Sequence, residues 1–546
     1  MKSTNTASTK TAFTRTAFTR TAGAGAVALA LALTGCSAGS GDTDEASDAT
    51  IVVAIAEPDH LTPGNHYASY EVLLSVFSPL MSIDDDGNLE PLQAESVESE
   101  DAITWTVNLR DGWTFHNGEP VTSQSYVDAW NYLAYEPNAW VNAGQLRNVV
   151  GYSELSPGDG SEPGATELSG LTVVDENTFT IELRSPDRQF PAQLTAGQTG
   201  LYPMPEAAFD DLEAYDRFPI GNGPFALTAA WESNQDIVVE AYDEYQGPEP
   251  TLGGVTFRPY LDTAIAYTDA LAGEVDITAV PANKVAVAET DFGDNFIALD
   301  APGVDFLAFP GDDDRFEDVR VRQAISMSID REAVNNAIYG GTQIPSTSLT
   351  SPSMPGDPAG VCGIYCEFDP EAAKDLLEEA GGFEGTMEIA FVGGWGQEDL
   401  FEAYANQIRQ NLGIEDVVAS PSTDFAEFTA RVEAGDIKGM GRGRWGALYP
   451  SQQDTLHAVY TANGDGNYAT GGYSNPEVDA LLAEADAAET LEESYVGYEK
   501  AQERIIEDFP VIPTFGNRYM YVTSDRIADL HTVAGGVLMS QVELAE

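Results

Sequence analysis

An α/β or α+β fold of two or three domains is what this sequence predicts. Three observations lead there. The 546 residues exceed what one compact core usually holds, and chains of this length split into domains. Runs with the two-residue alternation of strands and runs with the helical stripe follow one another along the whole chain. Apolar residues make up 43%, enough to build sizeable cores.

The N-terminus is set aside first. Lys2, Lys10, Arg15 and Arg20 lie in a stretch with no acidic residue, and an Ala/Leu-rich run follows from Ala22 to Leu33. That run is too short and too small-sided for a membrane span, so residues 1–35 read as a secretory signal peptide. The stretch ends Leu33-Thr34-Gly35-Cys36, which resembles a bacterial lipoprotein box. The resemblance implies that Cys36 is lipidated and becomes the mature N-terminus. The bland alternative is an ordinary cleaved signal with a chance cysteine; position, spacing and residue types favour the lipid. Acyl chains hold through buried methylenes, so the expected location is extracytoplasmic, on the outer face of the cell membrane. Residues 36–49 carry Asp42, Asp44 and Glu45 among small residues and read as a flexible tether, ~20 Å in average reach.

The chain carries 89 acidic against 25 basic residues, a net charge of −64, and losing residues 1–35 removes four of the basic ones. Such a surface repels nucleic acid and anionic lipid. Because the acids are spread over the whole chain, solubility explains them better than a cationic partner does. Apart from Cys36 the cysteines are Cys362 and Cys366, in a turn-rich loop from Pro358. In an exported chain they are expected to form a local disulfide. A zinc site lacks the remaining ligands, so no metal is expected.

The elements follow in order. Ile51–Ala56 is a continuous apolar run, read as a strand buried on both faces. From Ile103 to Leu109 apolar and polar residues alternate without a break, a half-buried strand. Asp111-Gly112 and Asn117-Gly118 are turns. Leu171–Val174 and Phe179–Leu183 flank Asp175-Glu176-Asn177 as a hairpin. Later, Val321, Ala324, Ile325 and Ile329 fall on one helical face. Asp330 caps a helix stopped by Gly340-Gly341, and Asp369-Pro370 and Asn475-Pro476 start two more. A long helix near Tyr495 to Phe509 stops at Pro510.

Several separated stretches carry a family likeness. The run from Trp105 to Thr122, WTVNLRDGWTFHNGEPVT, resembles the signature of the family 5 extracellular solute-binding proteins, the peptide- and nickel-type binding proteins of ABC importers. Pro219–Phe225, Ala270–Ile277, Val319–Ser326, Ile329–Glu332, Tyr473–Asp479 and Phe509–Pro513 resemble further family segments, in family order, from about residue 50 to about 530. The resemblance implies an α/β, two-lobed periplasmic-binding-protein-like fold of type II, cluster C, with an extra subdomain in lobe one. It places the lobe-one core in 50–85, 220–308 and 510–546, the inserted subdomain in 86–219, and lobe two in 309–509.

The resemblance also implies a function: a monomer that grips a small-molecule ligand, a peptide in most such relatives, and passes it to an ABC permease with its ATPase subunits. No cofactor and no bond-making chemistry is expected. Ligand contacts to both lobes favour the closed form, and only that differential affinity shifts the population. An extended peptide pairs with protein backbone like an added strand. One cleft wall is expected near Thr62–Ser69, with Asn65, His66, Tyr67 and Ser69 as candidates. The other is expected near Arg442–Pro450, with Arg444, Trp445, Gly446, Ala447 and Leu448. Relatives commonly carry an aspartate at the place of Leu448, where it pairs with a peptide's ammonium. A buried ammonium without a carboxylate is costly. Either another acid supplies the charge, Asp454 being the nearby candidate, or the ligand is not a free-amine peptide. Arg442 and Arg444 suit a carboxylate or phosphate, or simply ion-pair within an acidic protein. Trp395 is a weaker candidate, since aromatics in such folds are mostly core.

Rival readings remain open at this level. Within the class, the ligand is a nickel chelate, an opine or an oligosaccharide; His60 and His66 lie in a loop and specify nothing. Outside it stand a secreted hydrolase and a surface adhesion protein. Beyond the tether, from residue 50 on, the sequence contains no Gly-x-Ser-x-Gly elbow and no His-Glu-x-x-His pair.

Overall fold

The computed structural model describes residues 47–545 apart from 68–69, 85–86, 196 and 534–535. The signal peptide, Cys36, most of the tether and Ser69 lie outside the described residues.

The continuous apolar run at the start of the folded chain becomes the strand Ser47–Ile55. Ile51, Val53 and Ile55 point into the first large core, while Val52 and Ala54 pack on a smaller cluster around Tyr267 and Val275. Both faces are thus covered, as the run implied. The strand pairs in parallel with Leu252–Pro259 and Ile277–Ala279, and helices close the sheet in the α/β manner. In Thr104–Leu109, Trp105, Val107 and Leu109 are buried and the alternate residues are more open. It lies between Ala94–Glu98 and Thr178–Glu182, which also pairs with Leu171–Val173, in a separate four-stranded sheet.

The helices of the second half start where the chain supplies an acceptor. Asp330 accepts from Ala333 N at 2.9 Å, and Gly340 ends that helix at φ 61°, a conformation glycine adopts without strain. Asp369 and Asn475 cap Pro370–Glu379 and Pro476–Asp486. The long helix begins earlier than its apolar stripe suggests, at Leu491, because Thr490 accepts from Glu493 N. Cys362 and Cys366 are joined, with Cα atoms 5.6 Å apart.

Two 13-residue strands, Phe296–Ala308 and Val511–Thr523, run antiparallel to each other through the middle of an eleven-stranded sheet. At one end Val511–Thr523 pairs with Ile277–Ala279 of the first lobe. At the other, Phe296–Ala308 pairs with Gly439–Gly446 of the second. Their mutual ladder breaks between Asp300 and Val304, leaving Ala301 and Pro302 without ladder partners, while Gly303 pairs only with Gly446 on the other side. Pro302 has no N–H to donate. The freed carbonyls are taken by the second lobe: Ala301 O accepts from Ser351 and Ser353, and Pro302 O from Ala447 N. The two principal cores change over inside these strands. Val304–Ala308 and Val511–Phe515 belong to the second core, whereas Ile297, Leu299, Tyr519 and Tyr521 border or join the first.

The segment that carries the four-stranded sheet rejoins the eleven-stranded sheet through Gly221–Gly223, just before the strand Phe225–Leu227. Gly223 N donates to Val76 O at 2.8 Å, and a Cβ on Gly221 would overlap that same carbonyl. Because the obstacle is backbone, it cannot swing aside. Gly221→Ala should therefore lower stability by about 1–3 kcal/mol in urea unfolding; an unchanged midpoint would mean that this return packs differently.

Candidate functional site

The strand Gly439–Gly446 is held on one edge by Phe296–Ala308 along residues 441–446. Its other edge pairs with Met387–Val392 only at residues 439–441. From Arg442 onward no strand among the described residues covers that second edge. Unpaired edge N–H and C=O groups invite an added strand.

Beyond the strand, the chain is locked residue by residue. Ala447, fully buried, donates to Pro302 O at 2.8 Å. Leu448 N donates to Asp454 Oδ2 at 3.2 Å, and the Trp445 indole N–H to the same oxygen at 2.7 Å. Asp454 sits in the first turn of Gln452–Tyr460, where the helix dipole favours a carboxylate. Burial nonetheless pushes its carboxyl up to about 6, against the two N–H donors. Asp454 thus organises this wall, with Oδ2 committed to Trp445 and Leu448. Gly446 and Arg444 are exposed beside it. Arg444 Nε stands 3.9 Å from Asp305 Oδ1, a long ion pair. Arg442 makes no ion pair among the described residues; its guanidinium lies 5.2 Å over the Trp395 ring, and burial holds its pKa below the usual guanidinium value. Trp395 is half-exposed and stacks on Phe425 at 6.0 Å.

The loop expected from the sequence to form the first-lobe wall is tied down by one carboxylate, and none of its residues 60–67 lines the interlobe cavity described below. Asp216 Oδ1 accepts from Leu61 N, Thr62 N and Thr62 Oγ1 at 3.0, 3.0 and 2.6 Å, and Oδ2 meets His60 Nδ1 at 2.9 Å. Nothing in the sequence pairs Asp216 with a loop about 155 residues earlier. Tyr67 projects from this loop, 77% exposed, and its N–H donates to Asp59. Asn65 is partly covered, its N–H turned back to Thr62 O. His66 is 1% exposed and meets Tyr70 edge-on at 5.5 Å. Burial pushes it down to about 4, leaving a neutral ring inside the lobe rather than on its surface.

The lobes touch at one end of this cleft. Arg188 N donates to Asp486 O at 2.8 Å, Ser451 Oγ to Gln189 at 3.0 Å, and Gln453 Nε2 to Asp187 at 2.8 Å. Ala192 packs on Tyr449, bordered by Leu89 and Leu448. Inside the seam lies a cavity of about 340 Å³ whose wall includes Arg147, Asp187, Trp445, Leu448, Asp454 and His457. A larger hollow, about 540 Å³, lies wholly within the second lobe, with Arg442 and Tyr468 in its wall. The structure thus brings Trp445, Leu448 and Asp454 around the interlobe cavity. Arg442 and Trp395 lie together on the second lobe, and His66 is separated from both groups.

The sequence profile of the bacterial extracellular solute-binding proteins, family 5, matches residues 88–467. The chain is 26% identical over 500 residues to the oligopeptide-binding protein OppA of Bacillus subtilis, covering 88% of this chain and 89% of that one. It is 26% identical to the probable deoxycholate-binding periplasmic protein YgiS of Escherichia coli, covering 82% and 83%. Among solved structures, Haemophilus influenzae OppA in complex with RPPGFSPFR superposes with a TM-score of 0.71, at 24% identity over 91% of this chain and 99% of that one.

Removing the Asp454 side chain in Asp454→Ala strands the Trp445 and Leu448 donors and should cost about 1–3 kcal/mol. Asp454→Asn keeps an acceptor and removes a buried charge. A carboxyl raised by folding stabilises fully only below its unfolded value, ~4. The wild-type chain should lose that increment as the pH rises to about 6, and the Asn variant should not. Urea unfolding of both across that range checks the sign; parallel curves would show that Asp454 is not held protonated by burial.

Proposed function

Because this chain belongs to the bacterial extracellular solute-binding proteins of family 5, we propose that it captures a peptide between its lobes and delivers it to an ABC permease and its ATPase subunits. The observation that carries the reading is the uncovered edge of Gly439–Gly446 from Arg442 onward, beside an open cavity lined by both lobes. A peptide main chain satisfies such an edge with little demand on its side chains, and Trp445 offers a ring to pack on. Arg444 and Arg442 supply positive charge for a carboxylate. Tyr67 and Asn65 present the first-lobe side of the grip, with Gly446, Ala447 and Leu448 opposite. The protein acts as a monomer and makes or breaks no bond. Moving it from 1:99 to 99:1 closed takes about 5.5 kcal/mol of differential binding.

A second reading keeps the role and changes the guest. Leu448 stands where an ammonium-pairing aspartate is expected, and Asp454 already serves two donors. A ligand without a free amine suits that wall, and YgiS, a relative of equal identity, is named for deoxycholate. Calorimetric titration with trialanine, N-acetyl-trialanine and deoxycholate separates the two. Binding of either peptide but not of the sterol supports the first reading; binding of deoxycholate alone overturns it. With whichever of these binds, Trp445→Ala should weaken affinity by about 1–3 kcal/mol, measured below the variant's own melting temperature, which the loss of the bond to Asp454 lowers. Unchanged affinity removes Trp445 from the site.

The location proposed is the outer face of the cell membrane, through a lipid on Cys36, with residues 36–49 as tether. Cys36→Ser should move the chain from the membrane fraction to the soluble extracytoplasmic fraction. A variant that still sediments with membranes would disprove the anchor.

A further inference from the structure

At the seam between the lobes, two buried carboxylates from opposite sides share one amide. Asp187 belongs to the first lobe and is 4% exposed. Asp486 ends the helix Pro476–Asp486 of the second, and its side chain is 13% exposed. Gln453 Nε2 donates to Asp187 Oδ1 at 2.8 Å and to Asp486 Oδ1 at 3.0 Å, so a single NH₂ group holds both.

Their surroundings are unequal. Asp486 also receives Tyr498 O–H at 2.7 Å and faces His457 Nε2 at 2.8 Å. Asp187 receives only neutral donors: Gln189 N at 2.9 Å and Gln193 Nε2 at 2.9 Å, besides Gln453. The basic groups nearby are spent elsewhere. Arg188 turns its guanidinium to the carbonyls of Ala488 and Ser99, and Arg147 pairs with Asp465. From the second lobe, Asp454, Tyr449 and Tyr498 complete the titratable groups around the pair. None of them adds positive charge except His457, which belongs to Asp486.

We propose that closing the lobes takes up a proton at the Asp187–Asp486 contact, so that acid favours the closed form and rising pH releases it. In the open form Asp187 leaves Asp486 and regains water, and its carboxyl returns to the ordinary range of ~4. In the closed form burial first, and then the facing Asp486, push it up to about 7. A proton therefore passes from water to the Asp187 carboxylate on closure. Between pH ~4 and about 7 the closed form holds one proton more than the open form, and the closed-to-open ratio falls as the pH rises through that window. His457 acts in the same direction. Burial would lower it, but Asp486, Asp187 and Asp454 outweigh burial and raise it, and its deprotonation at higher pH leaves the two acids less screened.

The inference uses the two-lobed closure but no ligand, so its test is separate from that of the peptide reading. Spin labels on Ser153→Cys and Glu484→Cys, both exposed and on opposite lobes, report the interlobe distance in the full chain held in detergent. Without ligand, between pH 5 and 7, the closed-to-open ratio should fall by up to about tenfold per pH unit, and it should level off near pH 8. Asp187→Asn, which keeps the shape and an acceptor for Gln453, should remove most of the pH dependence, leaving the smaller part due to His457. Asp486→Asn, which leaves Asp187 buried, should weaken the response by less. A wild-type distribution that does not move between pH 5 and 8 overturns the proposal. So does a pH response that is undiminished in Asp187→Asn.

Discussion

Two strands shared by both lobes are the constraint on which the rest of this structure depends. A β-ladder is stiff along its length because every second residue is fixed to its neighbour. Phe296–Ala308 and Val511–Thr523 are so fixed at each end, to different lobes. The two unpaired residues, Ala301 and Pro302, are the place where that stiffness lapses. The lapse is not left empty: a Cβ on Gly303 would meet Asn517 Oδ1 at 2.5 Å, and Asn517 in turn donates to Asp305. The joint is narrow, and its hydrogen bonds go mostly to one side.

The acid excess also reads differently once the fold is known. With few basic residues available, many carboxylates accept from backbone N–H groups, with or without an arginine beside them. Asp216 holds the Leu61–Thr62 loop this way, Asp276 accepts from Val52 N, and Asp262, Asp318, Asp330, Asp369 and Asp424 each cap a helix. A cap carboxylate gains from the helix dipole as well as from the hydrogen bond. Conversely, the buried Arg331 has no carboxylate partner among the described residues. It donates to the carbonyls of Pro513, Ser326, Ile329 and Cys366, and desolvation lowers its pKa to about 10.

What was legible in the sequence was local. Alternation exposed Thr104–Leu109, an unbroken apolar run exposed Ser47–Ile55, and Asp-Pro and Asn-Pro pairs marked helix starts. The separated family segments made the class readable, and the α/β two-lobed form follows them. The crossing strand Phe296–Ala308 was not legible, because Ala301-Pro302-Gly303 carries the chemistry of a turn and tertiary pairing on either side overrides it. The partnerships that build the walls were hidden for a simpler reason. Asp216 and His60, or Asp187 and Gln453, are far apart in the chain, and no periodicity links such pairs. His66 illustrates the converse: a polar residue in a turn-rich loop looks superficial, yet it is enclosed beneath Tyr70.

The bond from Ala447 N to the freed carbonyl of Pro302 has a consequence for the order of events. It binds the hinge's own backbone to the second-lobe wall, so Trp445, Leu448 and Asp454 travel as one rigid piece whenever the lobes swing. On the reading proposed above, that half of the receptor is preassembled, and what a ligand still has to organise is the approach of the first lobe.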